Sequence, residues 1–401
     1  MNIFKFKNKS NSEIFITSSL LIWFLVLAII GLVVGSSAGD DYLGYITNWE
    51  RSLYEKNPWQ EPGINGQMNS YGPFHPLTSF LYFFNPILPK FFYILVFSTA
   101  NIWLFYLLKK SFFFKNPINI FLYFLIIPFN FNIINYVFIF GHNDGLIVGL
   151  VVLSLITKLH QKHSISGIFL MISILEKYYT GFLYPIFIID LILEKNFKGL
   201  KKFIFSSTGT IFTILILNKV LYGEGFAFIE SFSNISHVIG FFSYLSSLTW
   251  YLDLFQNRFG NTSNVLSLLI EYNLISVIII YTAYLFISIK LNINFHLNLV
   301  IALMLVLTFH KSSFMTYYIC VFNMVMFFAL TEKSKLSSSL IFTFLPYSIF
   351  LSIISFSYLF LSDAFGDIFS HARNIMGFIN LVLSLMTIFF LLSVYLLNKK
   401  K

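Results

Sequence analysis

The chain has 401 residues, 57% hydrophobic and only 11% charged, with a mean hydropathy of +0.78. A soluble domain is normally about a quarter charged, so this composition excludes a soluble globular protein and gives an all-α polytopic membrane protein, one integral membrane domain over 1–401. The net charge of +9 reflects Lys-rich loops rather than a nucleic-acid patch, and the lone Cys320 excludes disulfides and cysteine-rich metal sites.

A span needs about 20 apolar residues, fewer where neighbouring protein shields it. In chain order such segments fall near 14–35, 91–108, 117–133, 145–157, 164–176, 179–193, 203–222, 268–289, 297–309, 315–330, 338–361 and 375–397, about twelve in all. The short pair 164–176 and 179–193 reads as re-entrant or shielded helices. The first segment exceeds the roughly 7–15 apolar residues of a cleaved signal and is read as a span.

Lys and Arg concentrate in cytoplasmic loops. With the N-terminus inside, the inner segments hold Lys5, Lys7 and Lys9, Lys109, Lys110 and Lys115, Lys158 and Lys162, Lys195, Lys198, Lys201 and Lys202, Lys290, Lys333 and Lys335, and Lys399 to Lys401. Of the 17 acids only Glu13, Asp190, Glu194 and Glu332 fall there. Both termini are therefore expected to be cytoplasmic, with the chemistry on the extracytoplasmic face.

Two large outer loops follow from this topology, 36–90 and 223–271. In the first, Asp40 and Asp41 precede Tyr42, Tyr45, Ile46, Trp49 and Leu53 at helical spacing. That pattern predicts an interfacial helix with its aromatic face in the headgroup layer. "NSYGPFHPL" then returns the chain to the membrane in a Pro-rich turn. The second loop carries His237 between an acidic start and an aromatic run. Shorter outer features are "GHNDG" (141–145), "EKYY" (176–179) and "FHKSSF" (309–314).

Each polar group has a structural and a chemical reading. Asp40 and Asp41 cap a helix, or one acts as a general base on an acceptor hydroxyl. Their pairing also leaves room for a divalent cation, Mg2+ or Mn2+, as cofactor. Lys177 snorkels to the interface paired with Glu176, or binds a departing phosphate. His142 with Asp144, His310 with Lys311, and His237 bring further groups to the same boundary. No internal repeat, P-loop, dinucleotide fingerprint or His-x-x-x-His pair occurs, which excludes energy-driven and zincin-type readings.

In their order along the chain these residues resemble the GT-C multi-pass glycosyltransferases that use polyprenyl-phosphate sugars. The resemblance is greatest to the mannosyltransferase that adds the first mannose in GPI-anchor synthesis and to its bacterial relatives. "GDDY", "NPW" and "YGPFHPL" resemble the family's Asp-x-Asp-Tyr pattern and following turns. Asp41 and Tyr42 match the second Asp and its Tyr, while Gly39 stands at the first Asp and Asp40 is shifted by one place. "FGHNDGLIVGLVVLSL" is similar to the Gly-Asn-Ala-Glu segment at Asn143 and Asp144. "LEKYYTGFLYPIFI" is similar to the Lys-Ile-Tyr-Pro hairpin at Lys177 and Tyr178, with Thr180 where the family has Pro. "SHVIGFFSYL" matches at His237, and "FHKSSFMTYY" at Lys311, Thr316 and Tyr317.

The resemblance covers roughly 14–330 and implies transfer of a hexose, mannose foremost, from a polyprenyl-phosphate donor to a lipid-linked or extracytoplasmic acceptor. Asp41 would be the base, with Asp40 assisting. Lys177, His237, Lys311 and His310 would hold the donor phosphate. Tyr42, His142, Asn143, Asp144 and Tyr178 would line the substrate site. The partners are the donor, a lipid or glycan acceptor and the bilayer, with no nucleic acid. The rival readings are a transporter or flippase, which normally shows repeat symmetry and midplane charges, and a polysaccharide polymerase or ligase, for which Arg51, Arg258 and Arg373 are a sparse outer set.

Overall fold

The computed structural model describes residues 11–34, 40–54, 57–59, 71–111, 116–223, 226–230, 272–310, 313, 315–331, 341, 344–354 and 366–399. Among these, all regular structure is helical. Five helical stretches among the described residues are long and apolar enough to cross a bilayer: Phe15–Val34, Leu88–Lys110, Pro117–Ile139, Phe197–Tyr222 and Asn273–Leu291. Shorter apolar helices at His163–Glu176, Tyr178–Leu193, Phe295–Phe309, Tyr318–Leu330, Phe344–Ile354 and Leu381–Ser393 accompany them.

Helix α1 (Asn11–Val34) is followed by α2 (Asp40–Tyr54) and α3 (Ser79–Phe84). α4 (Leu88–Lys110) starts with Pro89 in its first turn, where a missing N–H costs nothing, and ends on Lys109 and Lys110, which suit the negative end of the helix dipole. α5 (Pro117–Ile126) is capped by Asn116, which accepts from Ile118 N. Pro128 then interrupts the ladder. The chain restarts under an Asn130 cap as α6 (Phe131–Ile133) and continues as a π-helical turn, Ile134–Ile139.

α7 (Asp144–Leu159) is apolar on all sides and almost wholly buried, the pattern of a central helix. It packs between α4 and α8 (His163–Glu176). Gly149 makes the α4 contact possible, because a Cβ there would lie 2.9 Å from the backbone of Val96. α9 (Tyr184–Leu193) and α10 (Phe197–Tyr222) follow, and α10 closes on α8. α11 (Asn273–Leu291), α12 (Phe295–Phe309) and α13 (Tyr318–Thr331) complete the described core, with α14 (Phe344–Ile354) and α15 (Gly366–Lys399) beyond. α13 packs on α12, α7 and α4.

Short turns make successive helices antiparallel: three residues join α7 to α8, α9 to α10, and α11 to α12. One end of the bundle therefore collects the starts of α4, α7, α9 and α13 and the ends of α8, α10 and α12. The opposite end collects Lys109, Lys110, Lys158, Lys162, Lys195, Lys198, Lys201, Lys202 and Lys290.

The segment expected to form the first outer loop corrects one expectation. α2 has the helical spacing expected of it, yet its aromatic face does not lie in the headgroup layer. Tyr42, Tyr45 and Trp49 are 0%, 1% and 0% exposed and pack on Tyr93, Leu146 and Leu150 of α4 and α7. Burying three large rings against protein removes more apolar area from water than an interfacial position would.

Candidate functional site

The Pro-rich return turn and the end of α8 are stitched together through their backbones. Gly72 N donates to Glu176 O (3.1 Å) and Phe74 N to Leu175 O (2.9 Å). Only glycine fits at position 72, since a Cβ would stand 2.1 Å from the Leu175 carbonyl oxygen. Pro76 then opens a 3-10 turn, His75–Thr78, that delivers His75 into the protein.

His75 is fully buried, with Nδ1 2.8 Å from Glu176 Oε1. The same oxygen accepts from Asn143 Nδ2 (2.7 Å), and Asn143 Oδ1 accepts from Tyr45 OH (3.0 Å). One carboxylate oxygen thus gathers the imidazole and the amide from two separate segments. Rings fix the imidazole from several sides: Trp49 stacks at 5.6 Å and Tyr71 lies at 4.6 Å. Trp49 Nε1 in turn donates to Thr78 Oγ1 at 2.8 Å. His75 Nε2 and Glu176 Oε2 are buried without a hydrogen-bond partner among the described residues.

Beside this network lies a charged pair. Asp144 opens α7, where the helix dipole favours an anion, and its Oδ2 accepts from Lys177 Nζ at 3.1 Å. His142 Nδ1 is 3.9 Å from the same oxygen. The Lys177 ammonium also sits 4.7 Å from the Tyr317 ring and 5.7 Å from Tyr71, a cation–π arrangement. Tyr179 stacks on Tyr317 at 4.2 Å. The Asp144 carboxylate is 0% exposed and the Lys177 side chain 15%, so the lysine is the reachable partner.

Glu176 is therefore not the partner of Lys177, contrary to the pairing expected from their adjacency. Glu176 is the last residue of α8 while Lys177 is extended (φ −153°, ψ 119°), so the two side chains diverge.

A second lysine anchors α2. Lys90, fully buried at the start of α4, donates from Nζ to Ile139 O at 2.6 Å, closing the π-helical turn. Its backbone N donates to Tyr42 OH (3.3 Å), whose own proton goes to Pro86 O (2.8 Å). Burial pushes the Tyr42 phenol well above its ordinary range. Tyr82 on α3 donates to Glu50 at 2.7 Å; burial and this carboxylate push its phenol up to about 12.

Of the residues singled out from the sequence, His142, Asn143, Asp144, Lys177 and Tyr178 are brought together here, with Tyr42 tied in through α2. Tyr178 packs over Gly72, and His310 caps α12, its carbonyl accepting from Ser313 Oγ at 3.0 Å. Asp40 and Asp41 occupy the first turn of α2, but their side chains, like His237 and Lys311, lie outside the described residues. Among the described residues no set of three His, Cys, Asp or Glu side chains is grouped for a metal ion. Sequence reasoning overlooked His75, Glu176 as its partner, Tyr71 and Lys90. The "HPL" and "EKYY" runs carried the signal for the first two, since a His and a Glu in apolar surroundings need partners. Searches against protein-family models and curated proteins give no match to this chain.

Proposed function

We propose that the protein is a GT-C-type glycosyltransferase that moves a hexose, mannose foremost, from a polyprenyl-phosphate donor to a lipid-linked or extracytoplasmic acceptor. The reading includes about twelve crossings with both termini cytoplasmic, and the Lys177 end of the bundle outside. One observation carries it: four distant stretches, "YGPFHPL", "GHNDG", "EKYY" and "MTYY", supply one polar-aromatic cluster at a single end of an apolar bundle. A lipid-linked donor needs this layout, with its chain in hydrocarbon and its phosphate at the rim.

In the reaction the acceptor oxygen bonds to the anomeric carbon as its proton passes to Asp41. The bond from that carbon to the phosphate oxygen breaks, and the phosphate leaves with the electron pair. Lys177 stabilises the departing phosphate, exchanging part of its contact with Asp144 for the new anion. Asp40 assists the base, and His237, Lys311 and His310 add to the phosphate site. Stacked tyrosines such as Tyr179 and Tyr317 suit a sugar face.

The test is a transfer assay with purified protein, labelled polyprenyl-phosphate mannose and membrane extract. Asp41→Asn should lose about 10²–10⁴-fold in turnover while folding normally. Full activity in that variant, or vectorial movement of lipid without transfer by the wild type, overturns the reading.

A further inference from the structure

At the end of the bundle opposite Lys177, α9 turns into α10 at a corner built from Glu194, Lys195 and Asn196. Asn196 accepts from Gly199 N (2.9 Å), and its Nδ2 lies 3.2 Å from His163 Nε2, which pins the corner to α8. Lys195 holds the left-handed region at φ 55°, a conformation that side chains with a Cβ rarely adopt. Lys198, Lys201 and Lys202 follow at i, i+3 and i+4, one exposed face of α10.

The nearby acids are already engaged: Asp190 pairs with Lys158, and Glu194 lies 4.0 Å from the same ammonium. None of the four lysines has an ion-pair partner among the described residues. The same helix face carries two exposed rings further along. Phe205 is 82% exposed and Phe212 61%. Between them Gly209 has no heavy atom within 4 Å of where a Cβ would stand. The two rings stand about 10 Å apart along α10, with the small residues Ser206 to Thr210 between them, a shallow gap along which an alkyl chain can lie. Topology alone asks for lysines anywhere in such a loop; it does not ask for them on one helix face in line with two exposed rings.

We propose that this face is a binding site for an anionic phospholipid of the bilayer. Lys198, Lys201 and Lys202 contact the headgroup phosphate, Lys195 closes the corner, and an acyl chain lies over Gly209 between Phe205 and Phe212. The site is independent of the chemistry at the Lys177 end. Lysines at a membrane surface each favour an anionic lipid several-fold, so three should favour it on the order of a hundredfold at low ionic strength, less as salt rises.

The test is native mass spectrometry on the delipidated full-length protein in neutral detergent, titrated with palmitoyl-oleoyl phosphatidylglycerol or phosphatidylcholine. The wild type should retain phosphatidylglycerol strongly over phosphatidylcholine. The triple variant Lys198→Gln/Lys201→Gln/Lys202→Gln should lose that preference, and Gly209→Phe should weaken retention with all charges in place. Thermal unfolding of each variant in the same detergent checks that it is folded. Equal retention of the two lipids by the wild type, or an unchanged preference in the folded triple variant, overturns the proposal. So does inorganic phosphate displacing the lipid at equal concentration while Gly209→Phe has no effect, which would reassign the lysines to a free anion.

Discussion

His75 Nδ1 lies 2.8 Å from Glu176 Oε1 although 101 residues separate them in sequence, and the contact is fully buried. It joins the Pro-rich return turn after α2 to the end of α8, with Asn143 of the α7 entrance on the same oxygen. Three segments thus depend on one carboxylate. Glu176→Leu leaves two buried polar groups unpaired, each costing about 1–3 kcal/mol. Glu176→Gln keeps an acceptor oxygen and should cost less. Thermal unfolding in detergent ranks them, and His75→Ala/Glu176→Leu should destabilise by less than the sum of the two single changes. Additive losses would remove the contact from this role.

Lys177 and Asp144 make the complementary case. Removing one member of a buried ion pair strands the other charge and costs about 3–5 kcal/mol. Lys177→Met or Asp144→Asn alone should each destabilise strongly, and the double variant should recover much of the loss. Under the proposed function, transfer activity should stay absent in the double variant, because the cation assigned to the donor phosphate is gone. Recovery of stability without recovery of activity separates the structural role of the ion pair from the proposed phosphate-binding one.

Much of the scaffold is legible in the amino-acid order because bilayer thickness fixes how long an apolar run must be. The segment read at 91–108 becomes Leu88–Lys110, and 145–157 becomes Asp144–Leu159. The run read at 117–133 reaches Ile139, because Asn130 restarts the helix past Pro128. Periodicity also finds the aromatic face of α2, but a face does not name its partner. Tyr45 and Trp49 suit a headgroup layer and a protein core equally well, and only the position of α4 and α7 decides. The charged pairs are harder still. Adjacent residues such as Glu176 and Lys177 suggest a local pair, while the backbone break between them sends each to a partner more than thirty residues away. Lys90 was hidden because a lysine at a span's edge resembles any other topology lysine.

The phenol of Tyr82 gives a pH signature. Burial and its hydrogen bond to Glu50 raise it from 10.0 to about 12 in the folded protein. A group whose folded value is raised contributes its full stabilisation below the unfolded value and loses it as pH climbs through the folded one. Wild type should therefore exceed Tyr82→Phe in stability by a constant margin up to pH 10, and the margin should close towards pH 12. Unfolding curves for the pair at matched pH test this. A margin already closing below pH 10 would contradict it.

Gly72 makes the tight contact that holds the Pro-rich return turn in place. A methyl group there would sit 2.1 Å from the Leu175 carbonyl oxygen, and that neighbour is backbone, which cannot swing aside. Gly72→Ala must therefore part the return turn from α8, breaking the hydrogen bonds from Gly72 N and Phe74 N together. Trp59 reports the event, since its Nε1 donates to Tyr71 O at 3.0 Å and its ring is buried. The variant should show red-shifted tryptophan emission and faster proteolysis in 36–90, with α7 and α8 still protected from hydrogen exchange. Wild-type emission and cleavage rates in Gly72→Ala would mean that the turn is not held by this approach.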